Sequence, residues 1–360
     1  MRIKISDLTE GCILERDIQI RKDRPIALKK TVVDSRLIEV LSAFLVKELN
    51  VEKYMADGKL FTPKEMIDIG YAEESFKEVS FHTSYKEAVH EFKKLFQGWQ
   101  AGATVDVPAV RKIFVPILEK ALSAENEIFS LHCLSTKEDY FYHHAIAVGI
   151  ISGYIAKKLS YDLGDIVQVG LAGCLSDVGM AKVPIRILKK NDSLSYEEFK
   201  DVKQHPIKGY QMLQKSTGLK KEVKLAILQH HERLDGSGYP NNSQSDKIHP
   251  YSRIVAVADV YHAMTSDRIY RPKRSPFQVL EMLMHDEFGK YDLHILQTLR
   301  KGAINISIGS KVKLSNGEIG EVMFMSSRYP TRPIIRLNQS GVLIHLEKER
   351  NLYILEELSV

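Results

Sequence analysis

Apolar residues recur at helical spacing through the middle of the chain and at strand spacing towards both ends. Ile3–Ile5, Ile18–Ile20 and Thr31–Val33 read as short strands. Asp34 then stands at a helix N-cap ahead of Leu37, Val40, Leu41 and Leu45, and Val51–Met55 reads as a further strand. This alternation predicts a small α+β accessory module over residues 1–80, whose last part, Lys64–Ser80, is polar and linker-like. Residues 81–138 read as linking helices: one carries Ala88, Phe92 and Leu95, and another starts after Asp106 with Pro108 in its first turn. From 139 to 302 the helical period persists, with Ala147, Ile150, Ile151 and Tyr154 on one face. Loops interrupt it around Asn191–Ser195 and Asp235–Pro250. Residues 303–360 change to strand spacing, with Ser310–Leu314, Glu321–Met325, Pro333–Leu337 and Val342–Leu346, the first two joined by the turn Ser315-Asn316-Gly317. The expectation is a mainly α protein with a small barrel-like β module at its C-terminal end.

Composition narrows the classes without choosing one. With 44% hydrophobic and 27% charged residues among 360, a sizeable core is available and a largely disordered chain is excluded. Cys12, Cys133 and Cys174 are widely spaced and form no CxxC pair, which argues against a disulfide framework or a thiolate zinc site and for a reducing cytoplasm. No apolar run approaches the roughly 18 residues of a membrane span, and the start MRIKISDLTEG carries no hydrophobic signal region. A net charge of +5 gives little support to a nucleic-acid-binding role, although residues 182–224 hold eleven Lys or Arg against five Asp or Glu. Histidine is the uneven residue: eight of thirteen lie between His132 and His262.

Five polar elements stand inside apolar helical stretches of the main region. They are His144 in DYFYHHA, Asp177 in LSDVG, His205 in QHPIKGY, His230-His231 in QHHERLDGSGYP, and Asp259 in RIVAVADVYHAMTSDRIYR. Imidazole and carboxylate suit borderline divalent metals, and burying each without a partner costs a few kcal/mol. Asp177 follows GLAGCL and Asp259 follows IVAVA, so each carboxylate is expected in an apolar surrounding where a metal would serve as partner. Two oxygens let one carboxylate bridge two cations about 3.5–4 Å apart. His230 and His231 point about 100° apart on a helix, so both face one cation only if the helix is distorted. DGSGYP, rich in turn formers and directly after the paired histidines, reads as a loop folded over the site.

HHERLDGSGYP followed by RIVAVADVYHAMTSDRIYR resembles the HD-GYP family of HD-type metal-dependent phosphohydrolases, over roughly Asp139 to Arg300. The resemblance implies a helical domain with a bi- or trinuclear centre, often iron, that hydrolyses cyclic di-GMP. By the same resemblance His144, Asp177, His205, His230, His231 and Asp259 are metal ligands, Asp177 is the bridging catalytic carboxylate, Arg268 and Arg271 contact ligand phosphates, and Tyr239 is the tyrosine of Gly-Tyr-Pro. The N-terminal module resembles the variable regulatory domains attached to such proteins. The departures are as informative. Ser176 stands where the family has a ligand histidine, and Met180 where it has a lysine near the substrate phosphate, a charge that Lys182 is placed to replace in part. His262 stands where the family commonly has aspartate, and Tyr140 where trinuclear members carry glutamate, which disfavours a third metal. Two readings follow: a cyclic di-GMP phosphodiesterase with an altered mono- or binuclear Fe or Mn site, working by bridging-hydroxide attack on phosphorus, or an impaired relative. The latter acts as a cyclic-dinucleotide receptor, or as a scaffold whose Gly-Tyr-Pro loop meets a signalling partner.

Overall fold

The computed structural model describes residues 2–21, 24–43, 48–52, 54–61, 80–190, 192–267, 273–285, 287–327 and 329–358. The expected linker segment 64–79 therefore lies outside the described residues, as does Leu45. The chain divides into two compact units, Met1–Glu78 and Val79–Val360.

In the first unit β1 (Arg2–Lys4) pairs antiparallel with β4 (Glu48–Asn50), and β2 (Ile18–Arg21) with β3 (Arg24–Ala27). Between them α1 (Ser35–Ala43) starts at Asp34, whose carboxylate accepts from the Leu37 N–H at 2.7 Å. Ile3, Leu14, Val33, Leu41 and Val51 form a small core. Two expectations shift here. Val51 makes an isolated bridge to Leu14 just past β4, and Val32 a single bridge to Ile13, where full strands were expected.

The second unit is built on helices. α2 (Phe81–Gln100) and α3 (Val107–Ser123) are capped by Ser80 and Asp106, and the short α4 (Glu125–Ile128) follows. α5 (Tyr140–Lys158) and α6 (Leu163–Leu175) form the central pair. The short α7 (Ile185–Leu188) and α8 (Tyr196–Val202) lead to α9 (His205–Leu213), α10 (Lys221–Gln229) and α11 (Pro250–Thr265). Residues from Phe81 to Leu299 share one apolar core. α5 was expected to bury one face but is buried all round from His143 to Ala156, because it is enclosed by α2, α3, α6 and α11. Leu163–Lys182 is long and apolar enough, by length and composition, to cross a membrane, contrary to the expectation that no run comes close. Its apolarity serves the core, where 67% of its apolar 18-residue stretch is buried.

α12 (Pro276–His285) and α13 (Leu293–Ala303) close the bundle. The C-terminal segment is a five-stranded antiparallel sheet in the order β8-β7-β6-β5-β9, comprising β5 (Lys311–Leu314), β6 (Ile319–Phe324), β7 (Ile334–Leu337), β8 (Leu343–His345) and β9 (Ile354–Leu358). Gly317, at φ +87°, makes the expected tight turn between β5 and β6. The sheet is open at β8 and β9 where a barrel was expected. Its β9 was missed in the sequence because Glu356 and Glu357 blur the alternation. Val312, Leu314, Val322, Ile335 and Ile354 pack with Phe277 of α12.

Candidate metal centre

The expected ligands arrive from four places. His144 lies in the second turn of α5, and Asp259 in the interior of α11. Asp177 follows the end of α6, just before the 3₁₀ turn Val178–Lys182. His205 opens α9, where Pro206 in the first turn loses no helical hydrogen bond. The 3₁₀ turn lies flat on α9: a Cβ on Gly179 would stand 2.0 Å from the His205 carbonyl oxygen and 2.6 Å from the Gly209 nitrogen. A glycine at 179 is what lets Asp177 and His205 meet.

α10 ends at Gln229, with His230 as its C-cap and His231 beyond it. The expected helical divergence of this pair therefore does not apply: their ring centroids lie 4.1 Å apart and both rings reach the same cluster. Ligand atoms of Asp177, His205, His230 and His231 all fall within 4.8 Å of one another.

The Nδ1 atoms of His205 and His230 lie 2.8 and 2.7 Å from the carbonyl oxygens of Val202 and Ile227. Carbonyls only accept, so both Nδ1 atoms carry protons and each ring turns its Nε2 inward, where it can offer a lone pair to a bound cation. Those two Nε2 atoms are 3.1 Å apart, and Asp177 Oδ1 is 3.1 Å from His205 Nε2 and 3.6 Å from His230 Nε2. Three acceptors thus converge on one point, which only a cation relieves. A proton can bridge two of them, whereas a metal satisfies all three. Ligands roughly 2.1 Å from one ion stand about 3.0–3.4 Å apart, a range that holds two of the three separations here, the third being 3.6 Å.

The other carboxylate oxygen looks the opposite way. Asp177 Oδ2 is 3.6 Å from His144 Nε2, which is also 2.9 Å from Asp259 Oδ1, while Asp259 Oδ2 is 3.7 Å from His231 Nδ1. Without a metal, burial raises the Asp177 carboxyl pKa, but hydrogen bonds from protonated Nε2 atoms of His205 and His230 and the charges of His205 and His144 outweigh it and hold the group well below the usual range. Asp259 is lowered in the same way, burial being outweighed by its bond to His144 and the charges of His231 and His144. Burial and the neighbouring His230 keep His231 neutral far below its ordinary value.

The two substituted positions do not point into the cluster as ligands. The Ser176 hydroxyl donates to the Gly173 carbonyl at 2.9 Å, and Met180 is buried in the apolar core. Lys182 donates to the Trp99 carbonyl at 3.1 Å. Tyr140 Oη and His262 Nδ1 lie 3.1 and 3.0 Å from His144 Nδ1, on the side away from Asp259. Arg268 and Arg271 lie outside the described residues.

The Gly-Tyr-Pro loop folds back over the cluster, and the Tyr239 ring stacks on His231 with centroids 4.7 Å apart. A Cβ on Gly238 would stand 2.4 Å from the Arg233 nitrogen. Glu232, which sequence reasoning missed, holds the loop: its buried carboxylate accepts from the N–H groups of Asn241 and Ser243 at 2.7 and 2.9 Å. The signal was available, since a carboxylate directly before a turn-rich segment readily accepts from its exposed amides. Phe199, Lys203, His231, Arg233, Tyr239 and Tyr291 line a cleft of about 430 Å³ beside the cluster, a volume in the range of small-ligand sites. A larger cavity of about 770 Å³ lies between α12 and the β6–β7 and β8–β9 connections and is lined by none of the candidate ligands.

Residues 129–295 match the family model of the HD domain. This segment is an HD domain of the HD-GYP kind. A cyclic di-GMP phosphodiesterase of Pseudomonas aeruginosa is 30% identical over 243 residues, covering 68% of this chain and 58% of that protein. One of Thermotoga maritima is 38% identical over 158 residues, 42% of this chain and 43% of that protein. A 3'3'-cGAMP-specific phosphodiesterase of Vibrio cholerae is 31% identical over 190 residues, 51% of this chain and 44% of that protein. The HD-GYP chain described here thus spans about half the length of the curated relatives it matches.

Proposed function

We propose that this HD-GYP protein is a metal-dependent phosphodiesterase that opens a cyclic dinucleotide, cyclic di-GMP first among them. The observation that carries the proposal is the convergence of the His205 and His230 lone pairs on Asp177 Oδ1. The names of the relatives support the substrate class. In this reading His205, His230, His231 and Asp177 hold one ion, iron or manganese. Asp177 Oδ2 would face His144 and Asp259 on the second side of the site, so that this one carboxylate would link the two sides. The metal, when bound, supplies Lewis acidity at the phosphoryl oxygen and an activated water.

The protein's own groups do the rest. The Val202 and Ile227 carbonyls fix the imidazole tautomers. Tyr239 and the loop stapled by Glu232 cover the cluster and exclude water, and Arg268 and Arg271 contact the phosphates. Protein loaded anaerobically with Fe or Mn is expected to linearise cyclic di-GMP, and Asp177→Asn to lose both the bound metal and at least about a hundredfold in turnover. A folded, metal-loaded protein without turnover rejects the enzyme. The second reading, a cyclic-dinucleotide receptor, is favoured by the Ser176 hydroxyl committed to Gly173 and the apolar setting of Met180. It is distinguished by tight cyclic di-GMP binding without hydrolysis.

A further inference from the structure

The cleft beside His231 and Tyr239 contains a positive charge that the metal centre does not use. Lys203 follows α8 as its C-cap, one turn after Phe199. Its ammonium stands 4.8 Å from the centroid of the Phe199 ring and 5.3 Å from that of Tyr239. Two neighbouring lysines are neutralised: Lys190 pairs with Glu198 and Lys290 with Glu287. Among the described residues no carboxylate stands within ion-pair distance of Lys203.

Ring faces attract an ammonium and fix its position, but they leave its N–H groups unspent and its charge intact. Phe199 is 47% exposed, so its ring holds the ammonium at the solvent-facing side of the cleft. Arg233 adds a second cation, donating to the His230 and Glu232 carbonyls while its guanidinium stacks 4.6 Å over Tyr291. With Lys203, Arg233 and Lys290 against Glu287 alone, the lining charge of the cleft is positive.

We propose that Lys203, propped between Phe199 and Tyr239, is a substrate-binding residue that grips the anionic phosphodiester of a cyclic dinucleotide in this cleft. The proposal rests on the function argued above and adds a residue to it. A compact ammonium suits a single phosphate oxygen. The Tyr239 ring, which touches both Lys203 and His231, sets that oxygen next to the metal centre.

The test is titration of the metal-free full-length protein with cyclic di-GMP, followed by calorimetry at two salt concentrations, so that binding is read without turnover. Lys203→Ala is expected to weaken binding about tenfold and to flatten its salt dependence, since one screened charge pair is lost. Lys203→Arg is expected to stay within about threefold of wild type, and Lys200→Ala, on the exposed part of the same helix, to match it. Lys203→Gln, which keeps most of the side-chain stem, stands in for the alanine variant should that variant melt early. Wild-type binding with unchanged affinity in both neutral variants overturns the role of Lys203 and leaves the proposed function standing. Failure of the wild type to bind any cyclic dinucleotide, metal-free or metal-loaded, overturns both.

Discussion

The two ends of the buried polar cluster contain similar groups but are satisfied in opposite ways. At the end formed by His205 and His230, backbone carbonyls occupy both Nδ1 protons, so two lone pairs and a carboxylate oxygen face one another across 3.1–3.6 Å. At the other end, His144 meets Tyr140 Oη and His262 Nδ1 at 3.1 and 3.0 Å. A hydroxyl that both donates and accepts, beside imidazoles free to choose tautomers, can close that network with protons alone. One end is therefore incomplete without an added cation and the other is complete without one. The difference lies in what holds the far nitrogen of each ring, not in how many histidines are present.

The most severe way to break this contrast is to move the carboxylate from the His205 end. Gly179→Ala places a methyl carbon 2.0 Å from the His205 carbonyl oxygen, in a contact between two backbones that no side-chain rotation relieves. The expected cost is about 4 kcal/mol, beyond ordinary overpacking, together with loss of bound metal. Urea unfolding and metal analysis of the same samples check both. A variant of wild-type stability and full metal content would show that the turn and α9 are not held as closely as the structure places them.

Much of this arrangement was legible in the chain. Asp34 and Asp106 mark helix starts, Asn316-Gly317 marks a hairpin, and the six candidate ligands cluster because carboxylates and imidazoles interrupting apolar runs need partners. What could not be read depends on where a helix stops and which backbone atom lies beside a side chain. His230 and His231 converge only because α10 ends at Gln229, and the lone-pair directions follow from carbonyls three residues away in each case. Lys182 looked like the replacement cation from its spacing, yet its ammonium is held by the Trp99 carbonyl. Lys203, with no motif to mark it, sits in the cleft.

The opposite end gives a smaller and more selective test. His262→Ala removes one buried partner of His144 and leaves a small void, for an expected cost of about 2 kcal/mol. Because the His205 end is untouched, the metal content is expected to stay as in wild type. Tyr140→Glu with His262→Asp replaces the proton-closed network by two carboxylates, and is expected to raise the bound metal by one ion per chain. Unchanged stoichiometry in that double variant would mean that the closure of this end by hydrogen bonds is not what limits the metal count.

The mildest test uses acid. In metal-free protein the Asp177 and Asp259 carboxyls are held below the usual value of 3.8 by bonds and charges from His205, His230, His144 and His231. A group whose folded-state value is depressed stabilises the fold above its unfolded value and loses that contribution as pH falls through the folded value. Metal-free wild type is therefore expected to lose about 1–2 kcal/mol more than Asp177→Asn between pH 5 and pH 2, read as the change in urea midpoint. Bound metal keeps the Asp177 carboxylate unprotonated in the folded state, so it is expected to widen this difference for as long as it stays bound. Parallel acid limbs in wild type and Asp177→Asn would place the acid sensitivity at the His144 end, reversing the contrast between the two.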